Sequence, residues 1–138
     1  LVMKRSAKGP NTVRQTIQNL EPGRMYSLKM ITADLGDLRN EISQDQTSVV
    51  SISIHGVEPS TNPEHELDVS YPSHYGSVLG KFNRDYNAFM TFHRRIFRAT
   101  ASTAELTISD WVTTDNPGGP IGQELMANFI EIEPYFAE

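Results

Sequence analysis

Apolar and polar residues alternate along most of this chain in short runs separated by turn-forming residues, the period of half-buried β-strands. Thr12 to Asn19 puts Val13, Gln15 and Ile17 on one face and Arg14, Thr16 and Gln18 on the other. Leu20-Glu21-Pro22-Gly23 supplies a turn, Pro22 presetting φ and Gly23 tolerating a positive one. Met25 to Thr32 resumes with Tyr26, Leu28, Met30 and Thr32 on one face and reads as the second arm of a hairpin. Thr47 to His55 sets Val50, Ile52 and Ile54 against Val49, Ser51 and Ser53. Glu66 to Tyr71 adds a brief strand, and Tyr86 to Thr100 a long one in which aromatic and β-branched residues dominate. From Thr103 to Val112, Leu106, Ile108 and Asp110 face one way, and Glu105, Thr107, Ser109 and Trp111 the other. Asn128 to Phe136 closes the chain, with Ile130 and Ile132 set against Phe129, Glu131 and Glu133.

The connecting segments are punctuated differently. Asp34 to Ser43 spaces Leu35, Leu38 and Ile42 by three and four, which predicts one short helix near 34–43 if Gly36 is accommodated. Gly56 to His65 carries two prolines and a glycine and reads as a loop; residues 72–85 read as irregular, and Thr113 to Gly122 as a Gly/Pro loop. Crossover helices between successive strands are missing, which disfavours a parallel α/β fold. The expectation is an all-β protein, an antiparallel β-sandwich forming one domain over residues 1–138.

The order of motifs narrows this. The run Val13-x-Gln15-x-Ile17-x-x-Leu20-x-Pro22-Gly23-x-x-Tyr26-x-Leu28 resembles the early hairpin of galactose-binding-like jelly rolls, in particular carbohydrate-binding modules of the family 4 and 9 type. Phe97-x-Ala99, Ala104-x-Leu106-x-Ile108, the Gly-rich loop from Pro117 to Gly122 and a last strand from Phe129 to Glu133 follow in the matching order. The likeness covers most of the chain, through turn formers and core positions. It implies a jelly roll that acts as a non-catalytic accessory domain, binds a polysaccharide or other glycan beside neighbouring domains of the same polypeptide, and works in an extracellular, periplasmic or cell-surface setting. It also implies that a structural Ca²⁺ is possible while no cofactor is required. Such modules usually carry an earlier strand. The opening Leu1-Val2-Met3-Lys4-Arg5 already reads as strand without an initiator methionine, so the expectation is a piece of a longer polypeptide. The Pro117–Gly122 loop and the Ile130-Glu131-Ile132-Glu133-Pro134-Tyr135 ending look like a subfamily signature without an evident role.

Composition removes several partners. The 138 residues are 38% hydrophobic and 21% charged, enough apolar material for one folded core. A net charge of −5 with scattered Lys and Arg lacks the basic stripe of a nucleic-acid binder. No apolar run approaches the ~20 residues of a membrane-spanning helix, so no membrane insertion is expected. The absence of cysteine excludes disulfides and thiolate chemistry and leaves the redox compartment open.

Sugar recognition needs an aromatic face and planar polar groups for the hydroxyls. Trp111, His74, Tyr75, Tyr86 and Asn116 supply those types, and His93 and Arg95, alternating with Thr91 and Phe97, could line a concave sheet face. Trp111 shares a strand face with Thr107 and Ser109, away from the core positions; either it forms a ligand platform or it packs under a loop. Calcium takes several oxygen ligands. Asp34, Asp37, Glu131 and Glu133 are the candidate donors, although no D-x-D-x-D-G run is present. Glu131 and Glu133 at i, i+2 have the form of an acid–base pair, which alternating charge on an exposed strand also produces. His55, His65, His74 and His93 lack the H-E-x-x-H spacing, and neither a G-x-S-x-G elbow nor a G-x-G-x-x-G phosphate loop exists. Two readings therefore stand: a glycan-binding module, or a structural or protein-interaction sandwich with no sugar site. A self-sufficient enzyme is the least supported.

Overall fold

Strand pairing in a computed structural model, which describes residues 1–40, 42–73 and 88–136, divides the chain between two antiparallel sheets. The larger contains β1 (Val2–Lys4), β9 (Glu124–Pro134), β3 (Met25–Asp34) and β7 (Ala88–Ala99) in that order. The far edge of β7 is shared by β5 (Val57–Pro59) and β6 (Leu67–Ser73). The smaller has β8 (Ala104–Ser109) between β2 (Thr12–Ile17) and β4 (Ser51–His55). This is an all-β antiparallel sandwich with one α-helix, α1 (Leu35–Asn40), among the described residues, inside the segment where the spacing predicted it.

The core lies between the sheets. Register places Val13 and Ile52 beside Ile108, and Tyr26 beside Phe97, on facing surfaces. Leu28, Met30, Leu106 and Leu125 fill the space between them. β3 departs from simple alternation because it is buried on both sides. Its outer residues Ile31 and Ala33 pack with Leu38 of α1, Ala88 and Met90 into a second cluster. Asp34 fixes that helix by accepting the Asp37 N–H at 2.9 Å, an N-cap bond.

The hairpin expected from 12–32 does not form. β2 pairs with β8 and β3 with β7 and β9, so residues 18–24 carry the chain from one sheet to the other. The motif has a local physical reason. Gly23 has φ +88°, and Arg24 N donates to Glu21 O at 3.1 Å, which makes a type II turn with Pro22 and Gly23 at its centre. The Tyr26 hydroxyl accepts the Glu21 N–H at 2.8 Å and closes the corner, while Leu20 is buried beneath it. A second departure is β5, in a segment read as loop; Pro59 is tolerated there because β5 is a short edge strand.

The Gly/Pro loop gains a role. Arg5 is 1% exposed. Its guanidinium donates to Asp110 O at 2.7 Å, Val49 O at 2.8 Å, Pro120 O at 3.2 Å and the Gln123 Oε1. Residues 117–122 wrap this side chain so closely that a Cβ on Gly119 would lie 2.7 Å from its central carbon. Burial pulls the guanidinium below its ordinary pKa, and the Asp110 and Asp34 carboxylates push it back up.

Candidate functional site

The two residues of the expected concave face, His93 and Arg95, do share one surface of β7. Register sets His93 between Met30 of β3 and Asp68 of β6, and Arg95 beside Leu28. His93 is fully buried, with Nδ1 2.5 Å from Asp68 Oδ1 and Nε2 2.6 Å from Thr32 Oγ1. We assign the Nδ1 proton to this contact, since an ionised carboxylate has none to give. Burial raises the Asp68 pKa, but the His93 hydrogen bond and the adjoining Arg95 outweigh it and hold the carboxyl below its usual range. Arg95 is pinned in turn. Its Nη2 lies 3.1 Å from both Asp68 oxygens, and its Nη1 donates to the carbonyls of Leu67 and Arg94.

Beyond Arg95 this surface opens into a half-enclosed cavity of about 210 Å³ between β4 and the β5–β7 edge. Ile52, Ile54, Val57, Pro59 and Phe97 form its floor, and Ser60, His65, Glu66 and Arg95 its polar rim. The rim is built by a short 3₁₀ turn, Pro63–His65, in which Asn62 caps the Glu64 N–H and Pro63 occupies the first turn. His65 is held from two sides, by Ser60 Oγ 2.6 Å from Nδ1 and the Tyr135 hydroxyl 3.3 Å from Nε2, with its ring edge-on to Tyr135. The Glu66 side chain, 68% exposed, sits 3.5 Å from Arg95 Nε and keeps acceptor capacity free.

The other expected site residues lie elsewhere. Trp111 is only 8% exposed and donates from Nε1 to Ser6 O at 3.0 Å, so it is packed beneath the N-terminal segment and displays no platform. Of its two readings the one realised is packing under neighbouring chain: β8 ends at Ser109, and Asp110, on the inward face that alternation assigned it, holds both the backbone and side-chain N–H groups of Asn11. Asn116 uses its side-chain oxygen on Gly118 N at 2.9 Å, inside the loop. His74, Tyr75 and Tyr86 lie outside the described residues.

The four candidate calcium donors fall into two pairs. Asp34 lies opposite Leu125, whereas Glu131 and Glu133 lie opposite Lys29 and Ser27. Along β3 that separates the pairs by roughly 16 Å. Glu133 is ion-paired to Lys29 at 2.5 Å, and Asp34 accepts from Gln123 Nε2 at 2.7 Å. Among the described residues no three His, Cys, Asp or Glu side chains converge as metal ligands.

Asp68, His93 and Thr32 follow one another in the acid–base–hydroxyl order of hydrolases. Thr32 and His93 are both 0% exposed, which denies that hydroxyl to a substrate. The chain acts instead as a buried polar ladder tying β6, β7 and β3 together. The sequence reading weighed His65 only as a zinc ligand and proposed no site at Ser60, Glu66 or Asp68. Glu66 and Asp68 had a usable signal, being alternate positions on an expected strand, while His65 and Ser60 lie in a loop whose path no pattern specifies. No protein family, no curated protein sequence and no solved structure matches this chain.

Proposed function

We propose that this chain is a non-catalytic, jelly-roll-like module that binds a glycan in the cavity between β4 and the β5–β7 edge, as an accessory to neighbouring domains outside the cytoplasm. The observation that carries the reading is the cavity's make-up. An apolar floor suits the C–H face of a pyranose, and Ser60, His65, Glu66 and Arg95 offer hydroxyl, ring and planar groups to its hydroxyls. The rim is prearranged, because Arg95 is locked by Asp68 and His65 by Ser60 and Tyr135, so little side-chain freedom is lost on binding. The motif order from Val13 to Glu133 supports the same reading through its likeness to family 4 and 9 carbohydrate-binding modules.

Burial of Trp111 favours a second reading, a sandwich that braces a neighbouring domain and carries no sugar site. Affinity gels cast with soluble polysaccharides separate the two. Under the first reading one of the gels retards the chain, and Glu66→Ala, at a side chain 68% exposed, weakens retardation while its melting curve stays put. Uniformly free migration selects the second.

A further inference from the structure

The sandwich has another open edge. Where β2 and the segment after it overhang the last part of β9, a crevice of about 560 Å³ is lined by Gln15, Thr16, Gln18 and Asn19 on one side and Ile130 and Ile132 on the other. Its volume falls in the usual range for small-ligand sites. Its lining includes no ionisable side chain. The amides of Gln15, Gln18 and Asn19 are exposed and make no hydrogen bond to any described residue, so two donors and an acceptor on each remain unspent.

Backbone strain marks the same place. Among the described residues two non-glycines have left-handed φ, Asn19 at +62° and Phe129 at +54°. Asn19 lines the crevice, and Phe129 immediately precedes Ile130, which lines it too. Asparagine tolerates this region, but an aromatic residue does so rarely, so the Phe129 conformation needs a physical cause. The Phe129 strain belongs to a β-bulge: β9 spends one residue more than β3 between the Lys29–Glu131 and Ile31–Asn128 pairs. Bulges re-aim side chains near functional sites.

We infer that this crevice is a second ligand site, for an uncharged, hydroxyl-rich ligand, so that the module holds two sugar segments at once on opposite edges of its smaller sheet. β2 and β4 flank β8, which sets the two sites about 10 Å apart across that sheet. Free amides beside isoleucines satisfy hydroxyls and cover C–H surface without a charge to desolvate. The ligand class rests on the proposed glycan-binding reading; the existence of a second site rests on the crevice.

Titration calorimetry of the intact chain tests it, using a short oligosaccharide from whichever polysaccharide retards the chain in affinity gels. The expected stoichiometry is two sugars per chain. It falls to one in the Gln15→Ala/Gln18→Ala double variant and to one in Glu66→Ala, with melting curves unchanged because all three side chains are exposed. A parental stoichiometry of one overturns the inference while leaving the glycan reading intact, and so does a double variant that still binds two. Absence of binding to every polysaccharide overturns both.

Discussion

Arg5→Met removes a buried guanidinium while preserving much of its aliphatic bulk. The side chain joins four otherwise separate pieces of chain: the N-terminal strand, Asp110 at the end of β8, Val49 ahead of β4, and the loop through Pro120 and Gln123. A hydrogen bond from a charged donor is worth about 1.5–3 kcal/mol. The bond to Asp110 O is fully buried, and losing it strands a carbonyl; the other three are partly buried, and water recovers part of their loss. The expected destabilisation is about 3–5 kcal/mol, about two such bonds once water has recovered part of the other losses. For a chain of this length it corresponds to a fall in Tm on the order of 10–20 °C. Arg5→Lys keeps the charge but loses the planar fork and is expected to forfeit about half as much. Urea unfolding followed by fluorescence reads this directly, since Trp111 is the single tryptophan and its indole is bonded to Ser6, next to Arg5. Limited proteolysis gives a local readout, with cleavage within 113–122 expected to accelerate in the methionine variant. A loss below about 1 kcal/mol, well under one charged hydrogen bond, refutes the idea that Arg5 fastens the loop.

Gly119→Ala tests the same clamp from the loop side: its Cβ would sit 2.7 Å from a guanidinium that has nowhere to retreat, and overpacking of about 1–3 kcal/mol is expected in the same urea assay. Asp68, whose folded pKa is depressed, stabilises the fold above its unfolded value of about 3.9 and loses that contribution as pH falls through the folded value. Asp68→Asn is therefore expected to lose about 1 kcal/mol at neutral pH, a figure discounted for a side chain 35% exposed, and to flatten the stability curve below pH ~4; a curve parallel to the parent's counts against it. Asp37 carries the opposite sign: burial first, and the Asp34 charge second, raise its pKa against a bond from the Gln44 backbone, so its stabilising form is the protonated one. Asp37→Asn should gain about 0.5 kcal/mol at pH 7, with the advantage closing as acid protonates the parent. Chelation by EDTA should leave the melting temperature unchanged, because the acidic pairs at Asp34 and at Glu131 and Glu133 are held apart; a drop of several degrees would reveal a metal held by other groups.

What the sequence disclosed was the part of the fold governed by local period. Faces were legible in β2, β4 and β8 because each buries one side, and α1 was legible from the spacing of Leu35 and Leu38. β3 was half legible: nothing local announces that α1 covers its outer face. The supposed hairpin failed because β2 finds its partner in β8, far along the chain, and period says nothing about pairing. Arg5 was illegible for a different reason, since an arginine near a strand end normally reaches solvent, and only the closure of a distant loop over it makes burial tolerable. For the candidate sites, the shared face of His93 and Arg95 followed from alternation, as did the face that Gln15 shares with Val13 and Ile17. Gln18, Asn19, Ser60 and His65 follow strands or lie in loops, where no period operates.

The strained bulge at Phe129 shows how fold and candidate site constrain one another. Before it, Leu125 and Ala127 face the core; unbroken alternation would next send Phe129, Glu131 and Glu133 inward. Two carboxylates would then lie beneath the smaller sheet without partners, at several kcal/mol each. The one-residue insertion reverses the parity, so that Ile132 packs against the core beside Leu28 while Glu133 meets Lys29 outside. A left-handed phenylalanine costs about 1–2 kcal/mol. Burying Ile132 returns about as much, even before the carboxylates are counted. The strain is therefore explained by folding alone, and folding does not require Ile130 to stay 40% exposed beside unpaired amides. That residual exposure, not the strained φ itself, separates a binding crevice from a repaired register, which is why the stoichiometry of the Gln15→Ala/Gln18→Ala variant decides more than any stability measurement at Phe129.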